Sequence, residues 1–250
     1  MDAIEIVLLY DYYGDLLTQR QKDLILQAMA PHMNPDPYGR TTIRNIYFDT
    51  DSYRLIRRSM AKPAYKEKLR IRSYRQAEGD STVFVELKKK YDSVVYKRRI
   101  PLSNREAMQW LSRQCPCSVD TQISREIDYF LDFYGALKPT VFLSYDREAY
   151  YTADGSDFRV TFDSRILCRQ NDLDLGAAVG GVPILEEGKV LMELKCSGGI
   201  PLWMVEVLSR ERIYKTSFSK YGAAYEQLIF PKQMAAFSKQ KETMIHGRNF

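Results

Sequence analysis

Through the middle of the chain, polar and apolar residues alternate with a period of two, and each such stretch sets a row of charges against a row of hydrophobes. The clearest is Tyr65-Lys66-Glu67-Lys68-Leu69-Arg70-Ile71-Arg72-Ser73-Tyr74. As a β-strand it places Lys66, Lys68, Arg70 and Arg72 on one face and Glu67, Leu69 and Ile71 on the other. Successive cations in that row stand roughly 7 Å apart, and at an effective dielectric near 20 each adjacent pair repels by about 2 kcal/mol if partly buried. A solvated edge strand could carry one such row unaided. Its recurrence argues for a compensating anion.

Thr82 to Tyr91 repeats the pattern, with Phe84, Glu86, Lys88 and Lys90 opposite Val83, Val85 and Leu87. Val94 to Ile100 carries Lys97 and Arg99 on one face and Arg98 on the other, and Val141 to Tyr150 groups Leu143, Tyr145 and Arg147. Phe158 to Asp163 sets Arg159, Thr161 and Asp163 against Phe158, Val160 and Phe162, and Val190 to Cys196 sets Glu193 and Lys195 against Met192 and Leu194. Thr42 to Asp49 is a further predicted strand.

Helical spacing marks Leu16 to Met33, with Thr18 as N-cap and an end near Pro31, and a short helix around Asp51 to Met60. It recurs at Ser103 to Gln114, where Ser103 and Glu106 form a capping box, and at Thr121 to Leu137. These two helices are expected to cover the outside of the sheet. Pro201 to Arg212 and Ser217 to Leu228 complete the helical set. Asn34 to Gly39, Ala77 to Asp80 and Leu173 to Gly188 read as loops, and the tail beyond Pro231 as loosely ordered.

A sheet whose second face met only water would mix Ser, Thr, Asn and Gln there. Here that face is cationic with interspersed carboxylates. The expected fold is α+β, a closed antiparallel β-barrel with helices packed outside and a lumen lined by cations, in which Glu86 and Glu193 could hold Mg²⁺ or Mn²⁺. Such a lumen suits a linear polyphosphate, because phosphoryl transfer depends mostly on positioning and charge neutralisation.

Composition narrows the partners. The net charge of +5 is modest, but its bunching in strands suggests a polyanion. The few aromatics on the cationic faces argue against nucleic acid. His32 and His246 are the only histidines, which excludes a His-based triad or a multi-histidine metal site. No P-loop is present, and Gly180-Gly181 is too sparse for one. Cys115, Cys117, Cys168 and Cys196 lack zinc or redox spacing and read as free thiols, and Trp110 and Trp203 as packing residues. With no apolar run long enough to span a bilayer and no secretory pattern in Met1 to Tyr13, a cytoplasmic protein is expected.

From about Leu16 to Tyr225 the chain resembles the VTC (vacuolar transporter chaperone) domain, a polyphosphate polymerase domain of the triphosphate tunnel metalloenzyme superfamily, here in a bacterial-type, stand-alone form. The motifs that carry the resemblance are Ile46-Tyr47-Phe48-Asp49-Thr50, the strand Tyr65 to Tyr74, Val85-Glu86-Leu87-Lys88, Lys97-Arg98-Arg99, Tyr145-Asp146-Arg147, Arg159-Val160-Thr161-Phe162-Asp163, Met192-Glu193-Leu194-Lys195 and Ser219-Lys220-Tyr221. Their order and spacing, not any one alone, make it specific.

The resemblance implies an eight-stranded tunnel over residues 16–230, preceded by an atypical segment 1–15 and followed by a tail 231–250. It implies ATP and inorganic polyphosphate as partners, with Mn²⁺ or Mg²⁺ as cofactor, and leaves a membrane-protein partner open. Arg70, Arg72, Lys88, Lys97, Arg147, Arg159 and Lys220 would bind phosphate, and Glu193 the metal. Strand parity adds Lys66, Lys68 and Arg99 as substrate contacts, with Tyr145 and Lys195 beside them and Glu86 as a second metal ligand. For Glu193 the alternative is an ion pair with a cation such as Lys195.

One segment departs from the family. Where it usually reads Arg-Tyr-Glu-x-Lys-Tyr before the first helix, this chain has Tyr10-Asp11-Tyr12-Tyr13-Gly14-Asp15, with Tyr12 in place of the acid and Gly14 in place of the lysine. Three readings stay open: a polymerase, a triphosphatase, and a noncatalytic polyanion-binding module. The absent Glu-x-Glu-x-Lys opening of the hydrolytic branches favours the polymerase.

Overall fold

The computed structural model describes residues 16–92, 94–214, 217–236 and 238. In chain order the elements are β1 (Leu17–Thr18), α1 (Gln19–Met29), β2 (Met33–Pro35), β3 (Thr41–Asp49), α2 (Arg54–Met60), β4 (Tyr65–Ser73), β5 (Thr82–Tyr91) and β6 (Val94–Ser103). There follow α3 (Asn104–Leu111), α4 (Gln122–Tyr134), β7 (Lys138–Thr152), β8 (Phe158–Arg169), β9 (Val182–Pro183), β10 (Lys189–Cys196), α5 (Leu202–Arg210), α6 (Lys220–Ala224) and a π-helical turn, Tyr225–Ile229.

Helix starts follow their caps. Thr18 and Gln21 form a reciprocal capping box on α1, Ser103 and Glu106 one on α3, and Thr121 and Ser124 one on α4. Each box satisfies backbone N–H groups that a helix N-terminus leaves without partners. The expected loop Leu173 to Gly188 contains the short strand β9, and the chain beyond Pro231 stays helical to residue 236. Both departures come from tertiary pairing and packing, which periodicity does not report.

The strands form one antiparallel sheet in the order β1-β10-β8-β7-β3-β4-β5-β6, with β2 on β7 and β9 on β8. This corrects the expected closed eight-stranded barrel. The described residues give an open path of eight strands with the short β2 and β9 off it, ten in all, and no hydrogen-bonded ladder joins β6 to β1. Alternation reveals which side chains share a face, but closure depends on pairing between the two end strands, and parity is blind to that. The segment 1–15, with its Tyr12 and Gly14, lies outside the described residues.

The apolar faces bury themselves under helices. Leu69, Ile71, Val83, Val85 and Leu87 of β4 and β5 meet Trp110, Ile127, Phe130 and Leu131 of α3 and α4. Val160, Phe162, Met192 and Leu194 of β8 and β10 meet Ile25 and Met29 of α1 and Met204 and Val207 of α5. A third cluster joins Ile56 of α2 to Val141, Leu143, Ile166 and Tyr221. Fully burying each such side chain contributes about 1.5–3 kcal/mol, so the helices fix which face of the sheet is left for charge. Trp203 instead lies partly buried at the edge of the second cluster, stacked on His32. All four cysteines are free thiols. No helix among the described residues is long and apolar enough to cross a membrane.

Candidate functional site

Register turns the predicted charge rows into a surface. Lys68 pairs across the ladder with Lys88, and Lys88 with Lys97, so three lysines stand in one row across β4, β5 and β6. One step along, Arg70 pairs with Glu86 and Glu86 with Arg99. Like charges directly opposite one another are destabilising, so this register needs anionic compensation.

Glu86 supplies part of it. Arg70 Nε donates to Glu86 Oε2 at 2.8 Å, and Arg72 Nε, Lys97 Nζ and Arg99 Nε lie 3.7, 3.2 and 3.8 Å from its carboxylate oxygens. Glu86 is 1% exposed. Burial alone would raise its pKa, but Arg70, Arg72 and Lys97 outweigh that and hold it well below the usual carboxylate range. One buried carboxylate thus organises four cations. Burial works against the charge on Arg70, which Tyr47, whose hydroxyl accepts from Arg70 at 2.9 Å, Glu86 and Tyr145 stabilise. Arg72 is steered by Asn45 Oδ1 at 3.1 Å and by the Tyr145 hydroxyl at 3.3 Å.

A second cluster pairs cations with two carboxylates. Arg147 grips Asp163 through both Nε (2.6 Å) and a terminal nitrogen (2.7 Å), and that nitrogen also donates to Glu193 Oε2 at 3.2 Å. Lys220 Nζ, at the start of α6, lies 2.6 Å from Asp163 Oδ2 and donates to Glu193 Oε1 at 2.8 Å. Burial pushes the Glu193 pKa up, yet Lys220 and Arg147, with a smaller contribution from Lys195, hold it well below its ordinary value. Burial likewise works against the charge on Lys220, which Asp163 and Glu193 stabilise. The buried Thr161 hydroxyl, opposite Glu193 in the ladder, has no hydrogen-bond partner. Tyr145 bridges the clusters, with Arg147 and Lys220 over its ring at 5.2 and 4.7 Å and its hydroxyl on Arg72.

Ser219, the N-cap of α6, accepts from Lys68 Nζ at 2.7 Å, so the helix bearing Lys220 is tied to the basic strand. At the far end of that strand Arg99 lies over the Phe84 ring at 3.5 Å and donates to the Tyr74 hydroxyl at 3.3 Å, while Arg159 lies over Tyr151 at 4.7 Å. Burial would raise the Tyr74 pKa, but Arg72 and Arg99 pull it below its ordinary value.

The structure therefore brings Arg70, Arg72, Lys97 and Arg99 together at Glu86, and Arg147, Lys195 and Lys220 at Glu193. Lys66, Lys68 and Lys88 share the half-buried face of β4 and β5, and Arg159 stands opposite Lys195 on β8 and β10. Glu86 and Glu193 belong to different clusters, and Glu86 is enclosed by cations. Sequence reading passed over Asp163, although its parity with Arg159 and Thr161 placed it on the charged face. It also missed Asn45 and Tyr47, because the strand holding them carries no charge row.

No curated protein matches the chain. Among solved structures the fold is similar to a candidate adenylate cyclase of Bacillus halodurans, at 18% identity over 86% of this chain and 94% of that one, with a TM-score of 0.52. More distant are a candidate adenylate cyclase of Vibrio parahaemolyticus (8% identity, 89% and 98% of the two chains, TM-score 0.43) and the PH1819 protein of Pyrococcus horikoshii (15%, 87% and 96%, TM-score 0.39). The VTC domain family model matches residues 15–229, and the chain belongs to that family.

Proposed function

We propose that this protein transfers the terminal phosphoryl group of ATP to inorganic polyphosphate along the charged face of its sheet. The observation that carries the reading is the row Lys68, Lys88 and Lys97, set beside the four cations around Glu86 and completed by the Arg147 and Lys220 cluster. A phosphate chain would add negative charge along this row. In the reaction the bond from the γ-phosphorus to the ADP oxygen breaks as a new P–O–P link to the acceptor forms. Positioned cations stabilise the charge spread over the transferred group. The free thiols accord with a cytoplasmic setting.

Divalent metal fits the second cluster. Asp163 and Glu193 converge on Lys220, and the unpartnered Thr161 hydroxyl stands opposite Glu193. Among the described residues no set of three or more His, Cys, Asp or Glu is gathered. Mg²⁺ or Mn²⁺ would be held there by Glu193, the more exposed of the two carboxylates, together with substrate oxygens, with the metal supplying charge neutralisation when bound. We assign Glu86 to holding its cations in place.

The test is incubation of the purified protein with ATP and Mn²⁺, with and without a short polyphosphate primer, resolving chain length and released phosphate. Chains that lengthen, and cease to in Glu193→Gln, support the polymerase. Phosphate release without chains would replace it with a triphosphatase. Salt-sensitive polyphosphate binding without turnover would replace it with a binding module.

A further inference from the structure

The charged face differs in chemistry between its two ends. At one end β4 and β5 present Lys66, Lys68, Lys88 and Lys90, with no aromatic residue among these positions. At the other stand Arg72, Arg99 and Arg159 with Tyr74, Phe84 and Tyr151. Tyr74 is 37% and Tyr151 39% exposed, and burial and the hydrogen bond to Asp36 raise the Tyr151 pKa, with a smaller contribution from the nearby Tyr74. Each ring has a guanidinium over it, Arg99 at 5.4 Å from the Tyr74 ring and Arg159 at 4.7 Å from the Tyr151 ring. The Nε atoms of Arg99 and Arg159 are buried without a hydrogen-bond partner, since the approach of Arg99 Nε to Glu86 is 3.8 Å.

Lysine ammonium groups are compact point charges, suited to any stretch of phosphate oxygens. Planar guanidinium groups layered on aromatic rings form a stacking platform, to which a flat, electron-rich base can add. Such platforms accept bases without needing edge-specific hydrogen bonds. A phosphate chain gains nothing from the rings. A nucleotide does.

We infer that the arginine and tyrosine end receives the nucleobase of the donor nucleotide, with the polyphosphate chain lying along the lysine end. This rests on the proposed phosphate-binding role of the same face and adds a direction to it. Donor and acceptor would then meet between the ends, where Arg70, Tyr145 and Lys220 lie.

The experiment is calorimetric titration of the full chain with two ligands, a non-hydrolysable β,γ-imido analogue of ATP and inorganic tripolyphosphate. It compares wild type, Tyr74→Leu/Tyr151→Leu and Tyr74→Phe/Tyr151→Phe. The ratio of nucleotide to tripolyphosphate affinity is expected to fall at least tenfold in the leucine variant and less than threefold in the phenylalanine variant. Because it is a ratio, partial unfolding cancels. If the double leucine variant does not fold, the single variants carry the same comparison with a threefold threshold. A ratio unchanged in the leucine variants, with both ligands still bound, overturns the directional assignment and leaves the phosphate site standing. Failure of wild type to bind either ligand overturns the phosphate site itself.

Discussion

Lys220 Nζ lies 2.6 Å from Asp163 Oδ2, which joins the first residue of α6 to the middle of β8. Asp163 is fully buried and is gripped on its other side by Arg147. Removing one member of such a group leaves charges buried without compensation, at a cost of about 3–5 kcal/mol. Asp163→Asn is therefore expected to lose roughly that much stability in urea titration. A change under 1 kcal/mol would show that solvent reaches the cluster.

Glu86 should register in the acid limb of the stability curve. Its folded pKa lies below the ordinary value of 4.5, so the stability it contributes is fully present above pH 4.5 and is lost as pH falls through the folded pKa. One proton gives a slope of at most about 1.4 kcal/mol per pH unit. Glu86→Gln should flatten the curve below pH 4.5 and lower stability at neutral pH by about 3–5 kcal/mol, because four cations lose their common partner. Added polyphosphate should restore part of the loss by binding only the folded state. Parallel acid limbs for wild type and variant would contradict the role given to Glu86.

The sequence carried the faces of the strands but not how they assemble. Alternation in Tyr65–Ser73 and Thr82–Tyr91 placed Arg70 and Glu86 on one face correctly, because a strand's period of two is a local property. That Lys68, Lys88 and Lys97 stand in one row is a matter of register, set by hairpin geometry and core packing. Closure was misjudged for the same reason, since the ends of the sheet are far apart in sequence. Tyr74 and Tyr151 lie 77 residues apart, and no periodicity links them.

The lysine row predicts a trade between stability and binding. Lys88 stands between Lys68 and Lys97, and like charges directly opposite cost about 0.2–1 kcal/mol per pair. Lys88→Ala removes that repulsion, so stability in the absence of ligand should stay within about 1 kcal/mol of wild type. It should also weaken polyphosphate binding and reduce the dependence of log affinity on log salt by somewhat less than about one unit, as for one lost phosphate contact on a single strand. Titration at several salt concentrations reads both terms, and an unchanged slope would mean that Lys88 makes no phosphate contact.

Tyr221 is a further residue through which α6 is held against the sheet. Its hydroxyl donates to Asp49 Oδ2 at 3.0 Å, and its ring stacks on Tyr47 with centroids 4.6 Å apart. Asp49 is wholly buried and also accepts from the backbone N–H groups of Thr50, Leu55 and Ile56, which ties the start of α2 to the same carboxylate. Tyr47 in turn receives Arg70, so one stacked pair links the Lys220 helix to the Glu86 cluster. Tyr221→Phe keeps the stack and removes a hydrogen bond to a charged group, which should cost about 1.5–3 kcal/mol in urea. Tyr221→Leu should cost more, and should also slow phosphoryl transfer by on the order of tenfold by loosening the position of Lys220. If both variants lost stability while the rate in Tyr221→Leu stayed at the wild-type level, Tyr221 would be holding the fold and not the site.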